Sequence, residues 1–89
     1  MYIEVPHQLF TNKNTNAMDV VTYVALRIIA NNNNECSPSH KQIAIISRLG
    51  FSTVKKSVRK LLDNGFLEIE KHRDESGRNF PHTYSFKDL

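Results

Sequence analysis

Six basic residues lie in one segment of this sequence, and their side chains are the ones best suited to chemistry. Between Cys36 and Leu62 the chain carries no Asp or Glu. The basic residues of this segment are Lys41, Arg48, Lys55, Lys56, Arg59 and Lys60. The rest of the chain has six basic and nine acidic residues, so positive charge is concentrated here. Because lysine and arginine pair with phosphate, this pattern favours an oriented polyanion-binding face over an ordinary solvated helix surface.

The other side chains able to do chemistry are four histidines and one cysteine, which invite a metal hypothesis. They are His7, His40, His72, His82 and Cys36. None lies at the C-x-x-C or H-x-x-x-H spacing of metal sites, so we expect no metal. The sequence also lacks a glycine-rich phosphate loop and a nucleophile elbow, and its carboxylates are scattered. We therefore expect no enzyme activity, no cofactor and no small-molecule substrate.

A long helix is predicted ahead of the basic segment, over residues 17–31. Asn16 is its expected N-cap, and the apolar spacing runs from Ala17 to Ala30. The apolar residues at helical spacing are Val20, Val21, Val24, Ala25, Ile28 and Ile29, and Met18, Tyr23 and Leu26 extend them around nearly the whole circumference. This pattern is typical of a buried central helix, or of one that also meets a second copy of the chain. A homodimer is therefore a further expectation.

Two shorter helices are predicted within the basic segment, joined by Gly50, Phe51 and Ser52. The first runs from about His40 to Leu49, capped by Ser39, with a buried stripe of Ile43, Ile46 and Leu49, and Gly50 is expected to end it. The second runs from about Thr53 to Asn64, capped by Ser52, and buries Val54, Val58, Leu61 and Leu62. Three linking residues that include a glycine are typical of a helix-turn-helix.

The exposed face of the second of these helices is the predicted contact surface. Lys56, Lys60 and Asp63 are expected opposite the buried stripe, flanked by Thr53, Ser57 and Arg59. Lysine and arginine can pair with phosphate or guanine, and threonine can meet a thymine methyl group. We expect Thr53, Lys56, Arg59 and Lys60 to read bases, while Ser39, Lys41 and the following hairpin hold phosphates.

After Gly65 the apolar period changes from helical to alternating, which predicts a β-hairpin. Leu67 and Ile69 belong to its first strand, and residues 83–86 form its second. The polar loop between them, Asp74–Pro81, turns at Ser76 and Gly77. Basic and polar candidates for phosphate contact on the hairpin are Lys71, His72, Arg73, Arg78, Asn79 and His82. Ahead of the helices, Tyr2–Pro6 is β-leaning and Thr11–Asn16 is a polar linker, and the asparagine run at 31–34 is a loop.

The order of these motifs resembles a bacterial winged-helix helix-turn-helix family, found in phage and plasmid replication proteins and in small transcriptional regulators. The resemblance is carried by Cys36–Ser39, Gln42–Ala44 and Arg48–Val54, then by the helix-to-strand step at Leu61–Ile69 and the wing at Lys71–Arg78. It covers about Val5 to Phe86. What it implies is DNA binding through Ser52, Thr53, Lys55, Lys56, Arg59 and Lys60.

The sequence thus predicts an α+β winged helix-turn-helix: three helices followed by a two-stranded wing, with a short extra strand near Glu35–Ser37. We expect a single domain over 1–89, with an N-terminal arm (1–16), helix 1 (17–31), the helix-turn-helix (39–65) and the wing (66–87). The predicted function is sequence-specific binding of double-stranded DNA, with residues 53–64 as the recognition helix, in transcription regulation or in replication.

Two alternatives to duplex binding stay open at this stage. Many winged helices bind proteins, and such an apolar interface responds little to salt, whereas a DNA complex weakens steeply. Binding of RNA or single-stranded DNA usually needs exposed aromatic rings. Here Tyr23, Phe51, Phe66, Tyr84 and Phe86 are expected in the core, with only Phe80 and Tyr2 outside it. A single cysteine, no secretory signal and no apolar run of membrane length favour a cytoplasmic protein without membrane contact.

Overall fold

A computed structural model describes residues 3–30, 35–73 and 79–87, and for residues 71–73 and 79–81 it describes the backbone alone. This part of the chain is a mixed α+β structure with four helices and a three-stranded antiparallel sheet. The helices and strands are, in chain order, α1 (Gln8–Thr11), α2 (Ala17–Ala30), β1 (Glu35–Cys36), α3 (His40–Ser47), α4 (Phe51–Asp63), β2 (Leu67–Arg73) and β3 (Asn79–Phe86).

Helix α2 covers residues 17–30 of the predicted helix and begins at the predicted cap, and residue 31 lies outside the described residues. Asn16 Oδ1 accepts the backbone N–H groups of Met18 and Asp19 at 3.0 and 3.2 Å. In return, the Asn16 backbone N–H donates to Asp19 Oδ2 at 2.9 Å. These reciprocal bonds satisfy donors that a helix N-terminus otherwise leaves unpaired, which stabilises the start of α2.

The connection between α3 and α4 differs from the prediction. Helix α3 ends at Ser47, and Arg48 adopts the left-handed conformation expected of a glycine, with φ at 63°. The Arg48 backbone N–H bonds to the carbonyl of Ala44. Gly50 is the N-cap of α4 in an extended conformation, so Phe51 and Ser52 are helical and the linking residues are 48–50. The assignments of Gly50 as helix end and Ser52 as cap were wrong, because the backbone of Arg48 closes α3 earlier.

The buried face of α3 was also predicted incorrectly. Ile43 is buried, but Ile46 is 44% exposed and Leu49 is half-buried. Ser47 is buried instead, and it follows Ile43 by one helical turn, on the same face. Helix α3 is only two turns long and ends before Leu49. The face that it turns toward α2 and α4 includes Ile43 and Ser47 rather than the predicted stripe.

The sheet has the order β1–β3–β2, with both pairs antiparallel. The hairpin of β2 and β3 is confirmed, and so is the short strand at Glu35–Cys36. Strand β3 starts at Asn79, so the predicted loop ends earlier than Pro81, and the register shifts between Glu70 and His72. The predicted turn at Ser76 and Gly77 and the asparagine loop at 31–34 lie outside the described residues.

The N-terminal segment contains a short helix that the sequence did not predict. Residues 3–6 are neither helix nor strand, and α1 follows them. Leu9 of α1 is 1% exposed and packs into the core, which anchors the segment ahead of α2. The Thr15 hydroxyl donates to the Leu9 carbonyl at 2.6 Å, so part of the predicted polar linker is tied to α1.

The core lies between α2, α3, α4 and the sheet. Its buried apolar residues are Leu9, Tyr23, Ala25, Leu26, Ala30, Cys36, Ile43, Val54, Val58, Leu61, Phe66, Leu67 and Tyr84. Within the described ranges, no helix has the length and apolar character that crossing a membrane requires. The core fixes one face of α4 inward and leaves its other face available to a ligand.

Candidate nucleic-acid interface

Helix α4 separates buried and exposed side chains onto two faces. Val54, Val58 and Leu61 are buried, and their spacing of four and three residues places them on one side. The opposite face is formed by exposed side chains: Ser52, Lys56, Arg59 and Asp63. Ser57, which was predicted to flank the outer face, is buried instead. It lies three residues after Val54 and four before Leu61, on the side of α4 that packs inward.

Lys55 and Lys56 are the lysines of α4 that reach solvent most fully. Both are exposed, and neither forms an ion pair with a described acidic residue. Lys41 on α3 is likewise exposed, without a described acidic partner. These ammonium groups can meet a phosphate without breaking an ion pair seen in the structure, and they are the strongest part of the candidate surface.

Arg59 lies on the same outer face but has a partner. Its Nε donates to both carboxylate oxygens of Asp63 at 3.3 Å. The two side chains are 78% and 60% exposed, and such pairs contribute little to stability. Arg59 can therefore exchange this carboxylate for a phosphate or a base at small cost. Ser52 is exposed and Thr53 is half-buried, both in the first turn of α4.

Lys60 has a different role from the other lysines. Its Nζ lies 3.2 Å from Oδ2 of Asp19, a carboxylate whose side chain is only 1% exposed. The pair joins the start of α2 to the second half of α4. Buried carboxylates need such partners, because leaving one unpaired away from water is costly. The ion pair gives the charge of Lys60 a structural function, besides the DNA contact that the sequence predicts for it.

Ser39 is the N-cap of α3, as predicted. Its hydroxyl accepts the Gln42 backbone N–H at 3.1 Å, and its own backbone N–H donates to Gln42 Oε1 at 2.9 Å. No side chain of the described chain caps α4, whose N-cap is Gly50. The first N–H groups of α4 are therefore open to an anion, beside the lysines of the same helix.

Phe51 is the residue of this surface that the sequence analysis missed. It was expected in the core but is 52% exposed, in the first turn of α4. Lys55 Nζ lies 5.6 Å from the centre of the ring. The ring of His40 meets it edge-to-face at a centroid distance of 6.0 Å. The signal that would have located it is the start of the helix: a cap at Gly50 makes Phe51 part of the first turn, one turn before Lys55.

His40, at the start of α3, lies near the charged groups of Lys55 on α4 and His82 on β3. Burial lowers the pKa of its imidazole, and the nearby charges of Lys55 and His82 lower it further. His82, on β3, is half-buried, and its Nδ1 is buried without a hydrogen-bond partner among the described groups. The side chain of His82 therefore lies near that of His40, at the start of α3.

Most of the side chains predicted to contact phosphate on the hairpin lie outside the described groups. The side chains of Lys71, His72, Arg73 and Asn79, and the whole of Arg78, fall outside the described groups, as do those of Phe80 and Tyr2. Where side chains are described, no three histidine, cysteine, aspartate or glutamate residues come together as a metal site would require.

A second exposed surface is apolar and lies on α2. Met18, Val21 and Ile28 are 40–50% exposed, and Phe10 on α1 is 70% exposed. Next to them, a cavity of about 330 Å³ opens between α1 and α2. Residues lining it are Leu9, Phe10, Thr15, Asn16, Ala17, Val20 and Val21. Helix α2 is therefore buried on one side only, and its exposed side is able to contact a partner.

Compared with protein-family models, with curated proteins and with solved structures, the chain matches none of them.

Proposed function

We propose that this chain is a winged-helix protein that binds double-stranded DNA, with α4 as the recognition helix in the major groove. In this proposal α3 braces α4, and the β2–β3 hairpin is the wing. The protein would act in transcription regulation or as the DNA-binding part of a phage or plasmid replication protein. The arrangement of α2, α3, α4 and an antiparallel hairpin is compatible with this architecture.

The observation that carries the proposal is the outer face of α4. Lys56 is exposed there and Lys55 is exposed beside it, both without a described acidic partner, and Arg59 is held only by an exposed, exchangeable pair. The opposite face is anchored in the core by Val54 and Leu61. The major groove is wide enough for one α-helix. A helix with one face anchored in the core can present its basic face to that groove.

Helix α3 adds phosphate contacts to this face. Lys41 is exposed in the first turn of α3, next to the capped N-terminus at Ser39. In a helix-turn-helix the first helix crosses the DNA backbone while the second enters the groove. We infer that Lys41 contacts phosphate and so helps to orient α4 on the duplex.

The test is selection of bound duplexes from a random pool, followed by fluorescence-anisotropy titration of the selected duplex at several salt concentrations. We expect a defined motif and an affinity that falls steeply with salt. Failure to enrich any duplex at low salt would refute the proposal. An affinity for the duplex that does not change with salt would refute phosphate contacts through the lysines of α4.

A matched pair of lysine variants places the contact on α4. Lys56→Ala should reduce the magnitude of the negative slope of log K against log[salt] by about 0.9 if it removes one phosphate contact. Lys13→Ala removes an exposed lysine from the segment before α2 and should leave the slope unchanged. If Lys56 reads a base instead, the loss of about 1–3 kcal/mol should be confined to one position of the motif. If Lys56→Ala and Lys13→Ala show the same affinity and the same salt slope, Lys56 does not contact DNA.

The exposed side of α2 favours a second function, association with another copy of the chain. The charged side chains of α2 are Asp19, which is buried, and Arg27, whose guanidinium lies 4.0 Å from the centre of the Phe86 ring. The outer face around Val21 and Ile28 therefore carries no charge, and two copies can meet there without repulsion. Two-fold dimers on half-sites one helical turn apart are usual for helix-turn-helix proteins.

Two isoleucine variants test this dimer. Ile28→Glu places a charge on the outer face of α2 and should shift the chain to monomers in sedimentation equilibrium. Ile45→Glu is the matched control, because Ile45 is 66% exposed on α3, away from this face, and should leave the dimer intact. A wild-type chain that sediments only as a monomer at high concentration would refute the dimer.

A further inference from the structure

Phe51 is a large apolar side chain exposed within a basic surface. It is 52% exposed, whereas Tyr23, Phe66 and Tyr84 are buried. A single exposed aromatic residue is common and means little by itself. Its position matters here, because it lies in the first turn of α4, directly before Ser52 and one turn before Lys55.

The ring of Phe51 is held by its neighbours. His40, the first residue of α3, packs edge-to-face against it, and the ammonium group of Lys55 lies over it. Both neighbours belong to α3 and α4, so contacts with these two helices place the ring. The exposed half of the ring is therefore an apolar surface that a ligand can contact at the N-terminal end of α4.

The nearby charges decide what kind of partner fits this ring. An apolar protein surface that covered Phe51 would also have to remove water from the ammonium group of Lys55, without supplying an opposite charge. A DNA groove offers phosphates that can pair with Lys55, and apolar methyl groups on the base edges that can contact the ring. The 5-methyl group of thymine is the apolar feature of the major groove, and phenylalanine is among the side chains that contact it.

We propose that Phe51 contacts the 5-methyl group of a thymine and so specifies thymine at one position of the bound sequence. This inference rests on the proposed function, because it requires α4 to lie in the major groove. The N-terminal residues of a recognition helix are those that contact base edges, and Phe51 is the first residue of α4.

The experiment replaces each thymine of the selected duplex by deoxyuridine, one at a time, which deletes only the methyl group. Affinities are measured for the wild-type chain and for Phe51→Ala by fluorescence anisotropy. For the wild type, deoxyuridine at one position of each half-site should weaken binding about fourfold, the value expected for one buried methyl group. For Phe51→Ala, the same replacement should have no effect.

Lys13→Ala is the control, since Lys13 is exposed in the segment before α2 and lies outside both the proposed groove contact and the proposed dimer face. It should keep the wild-type response to deoxyuridine, and circular dichroism melts should show that both variants fold. If Phe51→Ala responds to every deoxyuridine as the wild type does, or if the selected motif contains no thymine, this inference is refuted while the proposed function stands. If the wild-type chain enriches no duplex, the proposed function is refuted, and this inference with it.

Discussion

Lys56 and Lys60, one helical turn apart on α4, should respond differently to the same substitution. Lys56 is exposed and has no described acidic partner, whereas Lys60 pairs with the buried carboxylate of Asp19. Replacing either by methionine removes the charge and keeps an aliphatic side chain of similar length. We expect Lys56→Met to weaken DNA binding with little effect on stability, and Lys60→Met to lower stability with little effect on the salt dependence of binding.

The size of the Lys60 effect follows from the exposure of the pair. Breaking an ion pair costs about 3–5 kcal/mol when both partners are buried and about 0.2–1 kcal/mol when both are exposed. Asp19 exposes 1% of its side chain, but Lys60 exposes 40%. We therefore expect Lys60→Met to lower the free energy of unfolding by about 1–2 kcal/mol. For a domain of this size each kcal/mol lowers Tm by about 4–8 °C.

Thermal melts by circular dichroism and anisotropy titrations between about 50 and 200 mM salt check both halves of this expectation. A double-mutant cycle with Asp19→Asn isolates the pair, because the amide keeps an oxygen for the Asn16 backbone N–H and loses the charge. The two single changes should then combine to less than their sum. The reasoning fails if Lys60→Met leaves Tm unchanged and reduces the salt slope as much as Lys56→Met does.

Three further outcomes follow from local geometry. Arg48→Gly should raise the free energy of unfolding by about 0.5–1 kcal/mol in urea melts, because glycine adopts the left-handed conformation without strain. Burial raises the pKa of the Cys36 thiol to about 11, so iodoacetamide should label it at pH 8 only after denaturation, and fast labelling of the folded chain would contradict its burial. The lowered pKa of His40 means that the unfolded chain takes up this proton first as pH falls through about 6.5. Its contribution should therefore destabilise the fold below that pH, and His40→Gln should flatten the pH dependence measured by urea melts.

The starts of α2 and α3 were predictable because their chemistry is local. Asn16 and Ser39 each offer a side-chain oxygen to backbone N–H groups two or three residues later, and both caps form as expected. The hairpin was predictable for a similar reason, since alternating residues such as Leu67 and Ile69 can bury only one face of a strand. These features depend on a few adjacent residues, and a sequence displays them directly.

The link between α3 and α4 was not predictable by the same rules. Glycine is the usual residue in the left-handed conformation at a helix end, so Gly50 was assigned there. The structure uses Arg48 instead, with its N–H bonded to the Ala44 carbonyl, while the Ser47 hydroxyl accepts the N–H of Leu49. The resulting shift makes Phe51 and Ser52 helical and moves Phe51 out of the core. A two-residue change in the turn thereby altered the membership of the candidate site.

Part of the positive charge of the basic segment is paired with acidic residues that lie outside the segment. Composition treats its six cations as one surface, but Asp19 lies 41 residues before Lys60 in the chain and Asp63 lies one turn after Arg59. Of the six, the cations that no described acid pairs with are Lys41, Arg48, Lys55 and Lys56. If each of these meets one phosphate, the salt slope per chain is about −3.6, and Arg59 adds about −0.9 only if DNA displaces Asp63. A salt titration of Arg59→Ala therefore asks whether that displacement occurs: the magnitude of the slope should fall by about 0.9 if Arg59 meets a phosphate in the wild-type complex, and should not change if the pair with Asp63 persists.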